Sequence, residues 1–290
     1  MRYGKPERMN QRESRYVKVA RIAYELAQQA LPRYAHPKSP HHFTLPQLAA
    51  CVLLTFYLDV SYRDMEEWLL ATDQVRTVLQ LPRVPDHSTL ARTFHKLRQA
   101  DWTRWRNALL DGLGVAEEFI SMDTTNFSLS QASAYYQTRT GRTYHDGVKV
   151  GYGLGLESRL IVSWRSGRGA GYDQPYWQPL CRQAARYGRK AGRWRAWLPV
   201  GDMGFDGRTT RSDDLIPPQR RQSKLVAPER KARADLVDAA RLDGLYGQRW
   251  QSETVNSVIK RKCGDTVRSR STRLQRREPL AKGLAYHIHV

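Results

Sequence analysis

Near Glu118 the chain changes its repeat, and that change restricts the fold more than any other feature of the sequence. Before it, apolar residues recur at helical spacing. After it come short apolar or alternating runs separated by Gly and polar clusters, which is the spacing of strands. Phe119-Ile120-Ser121-Met122-Asp123 reads as a buried strand ending in the polar Thr124-Thr125-Asn126. Val148 to Leu156 and Arg159 to Trp164 read as two further strands, close enough in sequence to form a hairpin. Asp173 to Tyr187 reads as a helix, Trp197 to Val200 as a strand leading to Asp202, and Ser223 to Val226 as a fifth strand. Ala234 to Leu245 and Tyr246 to Lys262 are helical in composition. Two hairpin-joined strands beside parallel ones, with helices on the faces, predict a mixed α/β sheet.

Residues 1–115 predict a smaller all-α region. Tyr16 to Leu31 fits one amphipathic helix. Thr44 with Gln47 forms a capping-box pattern ahead of Leu48 to Leu58, and Ser61 with Asp64 repeats it ahead of Met65, Trp68 and Leu69. After Pro82 and Pro85, Asp86 or Ser88 caps a helix carrying Leu90, Phe94 and Leu97. Its polar positions include Arg92, His95, Lys96 and Arg98. Three short helices with a basic last one fit a helix-turn-helix DNA reader, and they equally fit a structural cap on the larger domain.

Charge narrows the partner. Forty-eight Lys and Arg against 28 Asp and Glu leave a net +20. Self-repulsion of that size points to a polyanionic partner, and nucleic acid is the usual one. The most apolar run, Leu48 to Leu58, is about half the length needed to cross a bilayer. The N-terminus has no apolar stretch of a secretory signal. Three widely spaced cysteines, Cys51, Cys181 and Cys263, give neither a disulfide framework nor a zinc spacing. The expectation is no membrane partner and a reducing, cytoplasmic setting.

Three acids stand out by position: Asp123 at the polar end of its strand, Asp202 after a strand in Gly201-Asp202-Met203-Gly204-Phe205-Asp206, and Glu253 in a basic helix. Tyr246, Arg249, Glu253 and Lys260 are offset by 3, 7 and 14 residues. At about 100° per residue these offsets bring all four within roughly 60° on one helix face. An exposed Arg249–Glu253 pair would be the plain structural account of part of that stripe. Carboxylates gathered from three elements suit another purpose. Two Mg²⁺ or Mn²⁺ ions, held by oxygen ligands, activate the nucleophile and stabilise the leaving oxygen in phosphodiester cleavage.

The set resembles bacterial insertion-sequence transposases of the DDE class. Tyr246-x2-Arg249-x3-Glu253-x6-Lys260 is similar to the Tyr-Arg-Glu-Lys helix of that family, and the surroundings of Asp123 and Asp202 are similar to its first two acidic motifs. Ser61-Tyr62-Arg63-Asp64 and Pro85-Asp86-His87-Ser88-Thr89-Leu90 are similar to its N-terminal helical segment. The resemblance implies a ribonuclease-H-like catalytic domain over 116–290 and a helical, DNA-end-binding region over 1–115. It implies that Asp123, Asp202 and Glu253 hold two Mg²⁺ or Mn²⁺ ions, and that Tyr246, Arg249, Lys260, Arg261 and Lys262 contact DNA. It further implies double-stranded DNA as partner, a homodimer on that DNA, and a place on the bacterial nucleoid. Only about 50 residues separate Asp202 from Glu253, too few for the large insertion domain that some relatives carry there. Asp206 is an alternative to Asp202, Lys149 and Asp173 read as structural by default or else as groups behind the metal-binding acids, and Trp250 reads as a packed core residue that could otherwise stack on a base. A ribonuclease-H-like nuclease without strand transfer and a DNA-binding relic without activity are the competing functions.

Overall fold

The computed structural model describes residues 13–38, 41–129, 147–169, 171–191, 198–207, 210–219 and 227–290. Among these, six helices come first: α1 (Arg15–Ala30), α2 (Leu45–Leu58), α3 (Tyr62–Ala71), α4 (Asp73–Val78), α5 (His87–Lys96) and α6 (Gln99–Gly112). The sheet region follows as β1 (Phe119–Leu129), β2 (Gly147–Gly155), β3 (Ile161–Arg168), α7 (Gln174–Ala191), β4 (Leu198–Gly201), α8 (Pro228–Leu242) and α9 (Trp250–Cys263). The chain closes with β5 (Thr266–Val267), α10 (Thr272–Gln275) and α11 (Glu278–His289).

Local signals account for the helix starts. Thr44 N–H donates to Gln47 Oε1 at 2.8 Å and Thr44 Oγ1 accepts from Gln47 N–H at 3.4 Å, the expected capping box of α2. Ser61 and Asp64 exchange the same pair of bonds at α3, both at 3.2 Å. At α5 the cap is Asp86, which accepts from Thr89 N–H at 2.9 Å. Each such cap satisfies amide groups that the first turn leaves free, and losing one costs about 1 kcal/mol.

The strand order is β3-β2-β1-β4, antiparallel at β3–β2 and β2–β1 and parallel at β1–β4. Helices flank this mixed sheet, so the expected α/β class holds and the architecture is ribonuclease-H-like. Two strand readings change. β1 does not end at Asp123 but continues to Leu129, because its other edge stays paired with β2 as far as Ser128↔Gly147 and β5 joins it at Ser128 and Leu129. The expected fifth strand at Ser223 to Val226 lies outside the described residues; beside β4 the chain instead makes a parallel bridge from Val200 to Leu215.

The helical region and the sheet share one continuous hydrophobic cluster. α2 is buried along almost its whole length and packs on α1, α5 and α11. Trp102 and Trp105 of α6 stack with centroids 5.6 Å apart, and Phe94 of α5 meets Trp102 edge-on. α11 joins the layers: Tyr152 Oη of β2 donates to Pro279 O at 2.7 Å, and Ile161 N–H of β3 donates to His287 Nε2 at 2.7 Å. Neither α6 nor α11 stood out in the sequence. The helices thus share one core with the sheet, which is compatible with both a structural cap and a DNA reader, while Arg92, His95, Lys96 and Arg98 around the end of α5 stay exposed. Among the described residues no single helix is long and apolar enough to cross a membrane.

Candidate active site

Asp123 and Asp202 follow the last paired residues of two neighbouring parallel strands, Met122 and Gly201. β4 stops there while β1 runs on, so both acids lie at the carboxyl end of β4, the usual place for a ligand in an α/β sheet. Asp202 caps the 3₁₀ turn Met203–Phe205, its Oδ1 accepting from Gly204 N–H at 2.9 Å. Gly201 is small because of packing rather than a sharp turn: a Cβ there would lie 2.6 Å from the Trp177 ring and 3.0 Å from Phe205.

The two carboxyls resist ionisation. Burial pushes Asp123 up to about 6; the charge of Asp202 adds to this, while the Thr124 amide, Arg249 and Asn256 oppose it. Asp202 is raised by burial first and by the charge of Asp173 next. Oxygen donors that are short of positive charge in this way fit a hard divalent cation.

Asp206 has a different task. Arg230 and Arg233 of α8 both pair with its carboxylate, and Gln219 N–H donates to it at 2.7 Å. Its oxygens are engaged in fastening the turn after β4 to α8.

Glu253 arrives on α9. The expected single helix from Tyr246 to Lys262 is instead a 3₁₀ turn, Tyr246–Arg249, followed by α9. Three residues per 3₁₀ turn still place Tyr246 and Arg249 in one line. Tyr246 Oη donates to Gly201 O at 3.4 Å, so the turn leans on the end of β4. The inward face of α9 is Ser252, Val255, Asn256 and Ile259. Ser252 Oγ donates to Ser121 Oγ at 2.6 Å and Asn256 Nδ2 to Asp123 Oδ2 at 2.8 Å. Glu253 is exposed and pairs with Arg249 at 2.9 Å. Among the described residues no three Asp, Glu, His or Cys side chains gather closely enough to hold one ion, so Asp123, Asp202 and Glu253 do not form one cluster here.

The remaining basic residues differ in setting. Lys260 Nζ lies 5.7 Å from the Phe127 ring centroid, Lys262 Nζ lies 4.2 Å from that of Tyr57 on α2, and Arg261 is exposed. Trp250 is not a core residue: it is 56% exposed. At about 100° per residue it falls on the opposite side of α9 from Val255 and Ile259.

Lys149 and Asp173 lie together. Lys149 Nζ is buried 2.5 Å from Asp173 Oδ1, and it also donates to Gly171 O. The Thr124 hydroxyl donates to the same Asp173 oxygen. The available signal was a Lys inside the Gly-rich, otherwise apolar strand Val148 to Leu156.

A ribonuclease-H-like sheet with two acids on neighbouring strands suits phosphodiester chemistry. The family model of the transposase DDE domain matches residues 114–288, well over half of the chain. The chain belongs to that family, the DDE-class transposases, whose members act on DNA and generally use divalent metal ions. No curated protein matches it.

Proposed function

We propose that this transposase binds the terminal inverted repeats of double-stranded DNA, cleaves phosphodiester bonds at their ends and joins the freed 3′-OH to target DNA. The observation that carries the reading is the adjacency of Asp123 and Asp202, each just past the last residue that pairs β1 with β4. Asp123, Asp202 and Glu253 would hold two Mg²⁺ or Mn²⁺ ions. Bound there, the ions supply an activated oxygen nucleophile and stabilise the leaving oxygen.

The chain's own residues orient and admit. Asn256 and the Thr124 amide engage Asp123, and the Gly204 and Phe205 amides engage Asp202, so both carboxylates are oriented by neighbouring donors. Arg249 balances Glu253 in the free protein. A DNA phosphate is a bidentate partner for the same guanidinium and competes with Glu253 for it. In this reading DNA binding frees Glu253 to join the two aspartates. Tyr246, Arg249, Lys260, Arg261 and Lys262 contact DNA near the cleaved end, and a homodimer on the nucleoid brings two ends together.

The test is cleavage of DNA carrying the element's own terminal repeat with Mg²⁺ or Mn²⁺, alongside plasmid insertion. Wild type should nick at the repeat end and insert. Asp123→Ala, Asp202→Ala and Glu253→Ala should each bind DNA but cut nothing. Cleavage without insertion would identify a nuclease instead, and binding without cleavage in wild type would identify a relic.

A further inference from the structure

Behind the two aspartates, on the α7 side of the sheet, lies a second polar cluster that the proposed chemistry does not use. Lys149 of β2 is 7% exposed, and its ammonium is enclosed by Gly171 O and Asp173 Oδ1. Burying an ammonium is costly unless a carboxylate compensates it at close range. Asp173, immediately before α7, is therefore held in one place by Lys149.

Asp173 in turn reaches both halves of the acidic centre. Its Oδ1 accepts from the hydroxyl of Thr124, the residue after Asp123. Its Oδ2 faces the turn that orients Asp202: a Cβ on Gly204 would lie 2.6 Å from Asp173 Oδ2 and 3.1 Å from Asp202 Oδ1. Gly204 is the residue whose N–H holds Asp202. The charge of Asp173 is felt at Asp202, second only to burial.

We infer that Lys149 and Asp173 form a positioning pair, which sets Asp123 through Thr124 and Asp202 through the Gly204 turn and so tunes the affinity of both aspartates for divalent metal. The inference rests on the reading of Asp123 and Asp202 as metal-binding residues. The pair holds the β1 and β4 acids at one separation before any ion arrives. Groups in contact with metal-binding residues, without touching metal themselves, typically change affinity by about 10–100-fold when removed.

The experiment is Mn²⁺ titration of the full chain, followed by electron paramagnetic resonance, with thermal melting and repeat-DNA affinity measured on each variant. Wild type should bind Mn²⁺, and Asp123→Ala should abolish it. Asp173→Asn and Lys149→Met should weaken Mn²⁺ by about 10–100-fold at unchanged DNA affinity, and Lys149→Arg should restore most of the loss. If a single change leaves an unpaired buried charge and prevents folding, the double variant Lys149→Met/Asp173→Asn removes both charges and carries the same expectation. Mn²⁺ affinity unchanged in a folded Asp173→Asn or double variant overturns the inference and leaves the metal reading intact. Mn²⁺ binding that is absent from wild type, or indifferent to Asp123→Ala, overturns the metal reading and the inference with it.

Discussion

Asn256 Nδ2 donates to Asp123 Oδ2 at 2.8 Å, tying the helix that carries Glu253 to the strand that carries the first acid. Replacing Asn256 by Asp puts a like charge against a carboxyl that burial already holds at about 6. The metal-free protein should then melt at lower temperature, by an amount on the order of 1–3 kcal/mol, and added Mg²⁺ should recover much of it. A melt that is indifferent to both the substitution and Mg²⁺ would show that the bond does not couple α9 to the acidic centre.

Arg249 and Glu253 separate a structural role from a DNA-binding one. As a half-exposed i,i+4 pair they stabilise the helix by less than about 0.5 kcal/mol, so Arg249→Ala should barely move the melting curve. If Arg249 meets a phosphate, the slope of log affinity against log salt should shrink by about 0.9. Filter binding across a salt series measures this directly, and an unchanged slope assigns Arg249 to the ion pair alone.

Asp206 and Asp202 should part company in stability. Asp206→Ala leaves Arg233, itself buried, without its carboxylate, at a cost of about 3–5 kcal/mol. Asp202→Asn removes a charge that burial and Asp173 oppose, so the metal-free protein should be as stable as wild type or more so. Urea unfolding of the two variants gives the order; an Asp206→Ala protein as stable as wild type would contradict the pairing.

His287 supplies an acid-sensitive joint between α11 and β3. Fully buried and accepting from Ile161 N–H, its imidazole is pushed by burial from 6.5 down to about 3, with the charge of Arg106 adding to the effect. Above 6.5 neither state carries the proton. Below it the unfolded chain takes the proton and the folded one does not, so stability falls with falling pH until about 3. Between pH 7 and pH 4 this removes about 3 kcal/mol. His287→Gln keeps an acceptor for Ile161 and should flatten that limb in urea titrations; an equally steep limb would place the acid sensitivity elsewhere.

What the sequence determined by itself is what neighbouring residues decide. The capping boxes at Thr44 and Ser61, the strands leading to Asp123 and Asp202, and the line Tyr246–Arg249 depend on contacts three residues apart or on alternation along one strand. These repeats survive any tertiary arrangement, so the order of elements and the mixed α/β class could be read directly, while the ribonuclease-H-like architecture was implied by the family resemblance.

Tertiary structure decided the rest, because packing between distant segments has no local trace. β1 continues past Asp123 only because β2 and β5 supply hydrogen-bond partners there. Asp206 and Asp202, four residues apart, are set apart above all by the arrival of Arg230 and Arg233 of α8 at Asp206. Trp250 is exposed because Ser252, Val255, Asn256 and Ile259 take the inward face of α9. Lys149 and Asp173, 24 residues apart, become a pair only when β2 and the start of α7 meet behind the acids. A charge's role follows from which opposite charge, and how little water, the fold brings to it.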